Sequence, residues 1–254
     1  MDESVYRRMA ALERRHWWFV ARRQIVQALL RHFGLGDGSA GRRVLEVGSG
    51  TGGNLPWLSR FGLVSALEPE PLARALCAEA TAVVPLEGRL PGPLPFAREQ
   101  FGLICALDVI EHVEDDAAAV AALAELLTPE GWLLLTVPAL PGLWSHHDHS
   151  HHHHRRYQRG RLLDLLQQAG LEVRYCSYYN CWLLPLIAAA RALGRWRGGE
   201  TTDERLPPGW LNGCLRAVFA SERWVLGWGR LPLGVSLVAL AKRRHQPQGG
   251  KNGI

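Results

Sequence analysis

The chain has 254 residues, 47% of them hydrophobic and 21% charged, which is enough for a sizeable core in one or two domains and excludes a mainly disordered polymer. Its net charge of +5 is carried almost wholly by arginine, since Lys242 and Lys251 are the only lysines, and it is too small to point to nucleic acid. The five cysteines (Cys77, Cys105, Cys176, Cys181 and Cys214) form no CxxC pair, which argues against a disulfide framework or zinc ribbon and favours a reducing, cytoplasmic setting.

The N-terminal stretch is charged and lacks an apolar segment followed by a cleavage site, so no secretory signal is expected. Residues 3–33 read as one helix, with apolar positions at helical spacing among arginines, closed by the glycine-rich run 34–41. The period then changes. Strands are predicted at 43–47, 63–67, 82–86, 101–107 and 132–137, and helices at 54–60, 71–80 and 115–127, with a turn at 128–131. A histidine-rich stretch, 145–157, precedes a helix at 161–169 and a strand at 171–178. Residues 181–230 are rich in Trp, Arg, Leu, Gly and Pro and read as helices around a Gly/Pro break at 198–209. A last strand is predicted at 234–241. No stretch reaches about 18 uninterrupted apolar residues, so no membrane-spanning helix is expected. The alternation predicts a Rossmann-like, doubly wound α/β fold: a mainly parallel, seven-stranded sheet, a helix over residues 1–40, a main domain over 41–242 with a helical insertion at about 181–230, and a disordered basic tail at 243–254.

The strongest local feature is Val44-Leu-Glu-Val-Gly-Ser-Gly-Thr-Gly-Gly53. A strand runs into a glycine turn that opens a helix, and such a turn lets a ligand approach the backbone. Gly48, Gly50 and Gly53 satisfy the dinucleotide pattern GxGxxG, while Glu46, Gly48, Gly50 and Gly52 satisfy ExGxGxG. Glu68 ends the second predicted strand and suits the hydroxyls of a ribose, which both readings require.

Further segments separate the two readings. Leu90-Pro-Gly-Pro-Leu-Pro-Phe96, Leu107-Asp-Val-Ile-Glu-His-Val113 and Leu126-Leu-Thr-Pro-Glu-Gly-Trp132 follow in order. With the glycine loop, these resemble the motifs of class I S-adenosylmethionine-dependent methyltransferases. His16-Trp-Trp-Phe-x-x-Arg-Arg23, Val137-Pro-Ala-Leu-x-x-Leu-Trp144, Asp148 and His154-Arg-Arg-Tyr157 resemble a bacterial small-molecule subgroup. They are more distantly similar to the O-methyltransferases of ubiquinone biosynthesis.

The resemblance implies S-adenosylmethionine as donor, bound by Glu46, Gly48, Gly50, Gly52, Glu68, Leu90 and Leu107. Arg22 or Arg23, with Arg23 preferred, would meet its carboxylate. It further implies methyl transfer to a small molecule, more readily at oxygen. Asp108, His112 and His154 are expected around the reacting atoms, and Arg155, Arg156 and Tyr157 around the acceptor. The quinone-pathway enzymes also carry an acid-x-x-Glu-His metal site, which maps onto Asp108, Glu111 and His112 and would hold a divalent cation. The alternative is that Asp108 fixes donor or acceptor while Glu111 and His112 are structural. The histidine tract itself could bind zinc or nickel, or be a tolerant loop.

Residues 181–230 carry Trp182, Trp196, Trp210, Trp224 and Trp228 among arginines. They could form a lid over an apolar acceptor, a surface held at anionic membrane lipid, or ordinary packing helices. Over 44–138, 13 acids face 4 arginines, so the positive excess lies in the flanking segments. That makes an anionic or membrane-proximal acceptor more plausible than the total charge suggests. No lysine stripe or RNA module argues for nucleic acid. Two rivals remain at this level: a nicotinamide-dependent oxidoreductase and a non-catalytic donor-binding protein.

Overall fold

A computed structural model describes residues 3–36, 41–197 and 206–244. Two helices come first, α1 (Glu3–Leu12) and α2 (Trp17–His32). The chain then alternates through β1 (Arg43–Val47), α3 (Leu55–Leu58), β2 (Leu63–Leu67), α4 (Pro71–Ala80), β3 (Phe101–Leu107), α5 (Asp116–Leu126) and β4 (Leu127–Pro138). Next come α6 (His146–Ser150), α7 (Arg159–Gln168), β5 (Leu171–Tyr179), α8 (Leu184–Arg197), α9 (Gly209–Ser221) and β6 (Ser236–Arg243).

The strands form one six-stranded sheet in the order β2-β1-β3-β4-β6-β5. The pairs β1–β2, β1–β3 and β3–β4 are parallel, while β6 runs antiparallel to both β4 and β5. Side-chain alternation builds a core on each face. From β3, Leu103, Cys105 and Leu107 pack with Ala21, Ile25 and Leu29 of α2 and Phe219 of α9. Ile104 and Ala106 point the other way, to Ala119, Val120 and Leu123 of α5 and Leu162 and Leu166 of α7. Strands buried on both faces explain why their sequences read as continuous apolar runs.

Four expectations change. The strand predicted at 82–86 reduces to a single bridge, Leu86 to Leu67, so among the described residues the sheet has six strands, not the expected seven. Pro85 has no amide to extend that ladder, and Val84 faces solvent. The predicted turn at 128–131 lies inside β4, accommodated by a register shift between Phe101 and Leu103. The single helix over 3–33 is broken at 13–16, where His16 caps α2. The break is clipped from afar: Asn212 of α9 accepts a hydrogen bond from the Trp17 amide at 2.8 Å and donates to the Arg15 carbonyl at 2.9 Å. Finally, β6 extends to Arg243, inside the tail expected at 243–254; residues 245–254 lie outside the described residues, as do 198–205 of the Gly/Pro break. Among the described residues, no helix is long and apolar enough to cross a membrane.

Candidate active site

The chain reverses its direction of travel across the sheet between β1 and β3, and a crevice opens beyond their carboxyl ends, where open α/β sheets take their ligands. A cavity of about 1120 Å³ occupies that place. It is larger than the roughly 300–1,000 Å³ of most small-molecule pockets, leaving room for two reactants.

At one end lies the glycine loop. Gly48, Gly50 and Gly52 have φ of +66°, +54° and +87°, in the left-handed region that favours glycine. A Cβ at Gly48 would stand 2.7 Å from Val109 Cγ2, so the close approach also demands glycine there. Glu68 is buried under the loop; one carboxylate oxygen accepts from the Gly50 amide at 2.8 Å and the other from the Glu70 amide at 3.1 Å. Burial raises its pKa, against the pull of those two amides. Glu46, deeper still, accepts from Asn54 Nδ2 at 2.7 Å, and its second oxygen has no partner. Burial pushes its pKa up to about 8.

The broken N-terminal helix covers this end. Tyr6, Met9, Leu12 and Glu13 line the cavity, and the Glu13 carboxylate lies against the Gly53 backbone. From α2, Arg22 and Arg23 both reach the cavity. Arg22 pairs with Asp108 and lies 4.6 Å over the Trp18 ring. Arg23 donates to the Glu13 carbonyl at 2.6 Å, and burial followed by the Arg22 charge lowers its pKa to about 10.

Asp108 sits directly after β3 with φ of +59°, a costly conformation for a non-glycine residue and one that clusters at working sites. Leu90 and Leu107 line the cavity beside it. Glu111, His112, His147, His153, His154 and Arg156 also line the cavity. Glu111 is wholly buried with neither carboxylate oxygen hydrogen-bonded, and burial raises its pKa strongly, with the nearby Asp108 charge adding to the effect. Burial, then His153 and His151, push the His112 ring down to about 3, so it is neutral at ordinary pH.

The expected acceptor residues divide. Arg156 lines the cavity, but its guanidinium is held by Asp148 and by the Ala139 carbonyl. Arg155 and Tyr157 do not line it. Arg155 donates to the Val113 and Glu114 carbonyls at 2.8 and 2.6 Å and pairs with Asp116. The Tyr157 ring is buried in the core, with its hydroxyl 2.8 Å from Asp116. These two fasten the segment after α6 to the start of α5, which corrects the expectation of acceptor contact. Likewise, Asp108 does not join Glu111 and His112 in a metal-sized group. The only such cluster among the described residues is Glu111, His112 and His153.

Sequence reading missed Tyr6, Glu13 and Asn180. Asn180 follows β5 with φ of +57°, is buried, lines the cavity and leaves both amide atoms without partners. Its left-handed backbone gives no pattern in the sequence. Over this end lie Leu183, Leu186, Ile187 and Ala190 of the α8 region and Leu215 of α9. Trp182, Trp210, Trp224 and Trp228 are exposed, and the Trp196 side chain lies outside the described residues.

The site thus combines a glycine cradle, a buried carboxylate beneath it and two arginines on the cavity wall, at the carboxyl end of an α/β sheet. A family model described as "Methyltransferase domain" matches residues 13–175, well over half of the chain. The chain belongs to that family, and it is an S-adenosylmethionine-dependent methyltransferase.

Solved structures agree on the fold. A chain from the Haloferax volcanii complex between the Trm112 methyltransferase activator and a provisionally assigned methyltransferase superposes with a TM-score of 0.62 at 17% identity, covering 97% of each chain. A provisionally assigned sarcosine dimethylglycine methyltransferase from Galdieria sulphuraria gives 0.58 at 16%, over 87% of this chain and 84% of its own. An S-adenosylmethionine-dependent methyltransferase from Mesorhizobium loti gives 0.55 at 16%, over 84% and 96%. No curated protein matches the sequence significantly. The family decides between the two nucleoside readings of the glycine loop in favour of S-adenosylmethionine.

The residues present fit that donor. Ser49 Oγ is a buried hydroxyl on the cavity wall with no partner, and such an orphan calls for a polar ligand.

Proposed function

We propose that the protein methylates a small-molecule acceptor, at oxygen, inside the single cavity that joins the glycine loop to Asp108 and Asn180. The observation that carries this is the continuity of that cavity from Glu68 to Asn180, with a volume of about 1120 Å³.

The donor supplies a methyl group on a sulfonium, whose leaving group departs neutral and needs no acid. The chain's residues then have three tasks. Glu68 would hold the ribose hydroxyls, and Gly48, Gly50 and Gly52 would admit the donor's backbone-facing side, with Glu46 bracing the loop through Asn54. Arg23, with Arg22 beside it, would meet the donor carboxylate, while Leu90 and Leu107 pack the base and exclude water. Asp108, fixed by Arg22, would orient the acceptor; His154 would take its proton, with His112 alongside. Orientation in a dry site does most of the work in such a displacement.

The Asn180 amide, able both to donate and to accept, would anchor a polar group of the acceptor. Residues 1–40 then serve as a cover on the donor end, 41–242 as the methyltransferase domain, and the helices of 181–230 as a roof over an apolar part of the acceptor. The exposed Trp210, Trp224 and Trp228 support a membrane-surface contact for the same segment. Pelleting with anionic but not with neutral vesicles is the expected result.

Calorimetry tests the donor assignment. S-adenosylhomocysteine is expected to bind saturably with one site, and NADH not at all; the reverse outcome would overturn the reading.

A further inference from the structure

The histidine-rich stretch after β4 is a built structure. Ser145 and Asp148 close a capping box on α6. Asp148 is fully buried and accepts from the Ser145 amide at 2.9 Å, Arg156 Nε at 2.8 Å and His153 Nδ1 at 2.9 Å. The His154 amide donates to the Glu111 carbonyl at 2.8 Å. This pair of tethers lays His153 against the Glu111-His112 turn.

Three donor atoms, one each from Glu111, His112 and His153, come within 4.8 Å of one another. The His112 and His153 rings meet edge to face at 4.6 Å, and the His147 and His151 rings each stand 6.0 Å from His153. Glu111 is 0% exposed, and neither of its oxygens has a hydrogen-bond partner. A buried carboxyl group with no partner, facing two imidazoles, is a ligand set lacking only a centre.

The chemistry of the set is specific. Because His153 spends Nδ1 on Asp148, its Nε2 is the atom left to bind, the carboxylate–histidine arrangement that orients metal-ligating imidazoles. Two nitrogens and a carboxylate suit zinc and neighbouring divalent ions. An ion centred among atoms at most 4.8 Å apart lies no more than about 2.8 Å from each, and zinc bonds of about 2.0–2.2 Å need each ligand to close by under about 1 Å. All three residues line the main cavity, so a fourth position would open toward the acceptor end. Asp108 takes no part, being paired with Arg22.

We propose that Glu111, His112 and His153 bind one divalent transition-metal ion of the zinc class, with Asp148 as the positioning residue for His153 and an open coordination position facing the cavity. This site is read by metal binding alone, so its failure would leave the methyl-transfer reading untouched.

The test uses the full chain, stripped with chelator, and Co²⁺ as a spectroscopic probe that Zn²⁺ can displace. One equivalent should saturate the visible absorption. Glu111→Gln, which keeps the shape of the side chain, and His153→Ala should each weaken binding at least about 10-fold, and Asp148→Asn by about 10-fold. Replacing the exposed His146, His149 and His152 together by alanine should leave stoichiometry and affinity unchanged. Circular dichroism checks that each variant is folded. The proposal is overturned if the wild-type chain shows no saturable Co²⁺ binding. It is equally overturned if binding survives Glu111→Gln and His153→Ala but disappears with the three exposed histidines.

Discussion

Replacing Glu68 with glutamine removes one oxygen acceptor and changes almost nothing in shape. In the wild type, its two oxygens serve two backbone amides, those of Gly50 and Glu70. A glutamine can accept from only one; its amino group then faces the other N–H. The loss comprises a hydrogen bond to a charged acceptor, about 1.5–3 kcal/mol, and a buried unpaired amide, about 1–3 kcal/mol. Part is recovered, because a neutral side chain escapes the burial penalty that raises the Glu68 pKa. A net loss of about 2 kcal/mol should lower Tm by roughly 4–8 °C in a chain of this size. Donor binding should suffer more, since the ribose hydroxyls lose a charged acceptor and the glycine loop is displaced. About 3 kcal/mol corresponds to roughly 100-fold in Kd. Calorimetric titration with S-adenosylhomocysteine, alongside a melting curve, measures both. Donor affinity within about threefold of wild type, whatever the Tm, would refute the role given to Glu68.

Three other perturbations follow from particular contacts. Glu46 has its pKa raised from 4.5 to about 8 by burial, so the folded state holds a proton that the unfolded chain releases near pH 4.5. Stability from this group is full below that pH and lost as pH rises through about 8, by at most about 5 kcal/mol. Glu46→Gln should therefore gain stability on wild type between pH 5 and pH 8.5 in urea unfolding; a pH-independent difference would contradict the buried-acid account. Gly48→Ala incurs about 1–2 kcal/mol for its left-handed φ and a further clash with Val109 Cγ2 at 2.7 Å. Adding Val109→Ala should recover the clash but not the backbone cost, as denaturant midpoints would show. Asn212→Ala removes both bonds that clip the break between α1 and α2. We expect a loss of about 1–2 kcal/mol, faster hydrogen exchange in α1 and several-fold weaker donor binding. Unchanged exchange in α1 would show that the clip is dispensable.

Local pattern carried the first half of the sheet well. β1, β2, α4 and β3 fall where apolar runs and glycine punctuation put them, because each is decided by its own residues and their burial. What depends on distant partners was hidden. The break at 13–16 is held by Asn212, which lies 195 positions beyond Trp17, and nothing near residue 14 announces it. The direction of β6 is set by its neighbours β4 and β5, and an apolar strand reads the same either way. The site was legible in kind but not in orientation. Arg155 and Tyr157 have the right chemistry for an acceptor, yet Asp116 claims them both. The histidine tract is organised by Asp148, whose contacts to Ser145, His153 and Arg156 leave no mark in its composition, and Asp108 pairs with Arg22 rather than joining Glu111 and His112. Asn180 could not be found at all, because an unpartnered amide is a fact of packing and not of sequence.

The most direct measurement is methyl transfer itself. The purified chain is incubated with methyl-labelled S-adenosylmethionine and a cell extract, and the label is followed into small molecules, protein and nucleic acid. The account predicts label in one or a few small molecules as an alkali-stable ether or an alkali-labile ester, lost with Glu68→Gln. Label confined to protein or nucleic acid, or small-molecule label that persists in that variant, would contradict it.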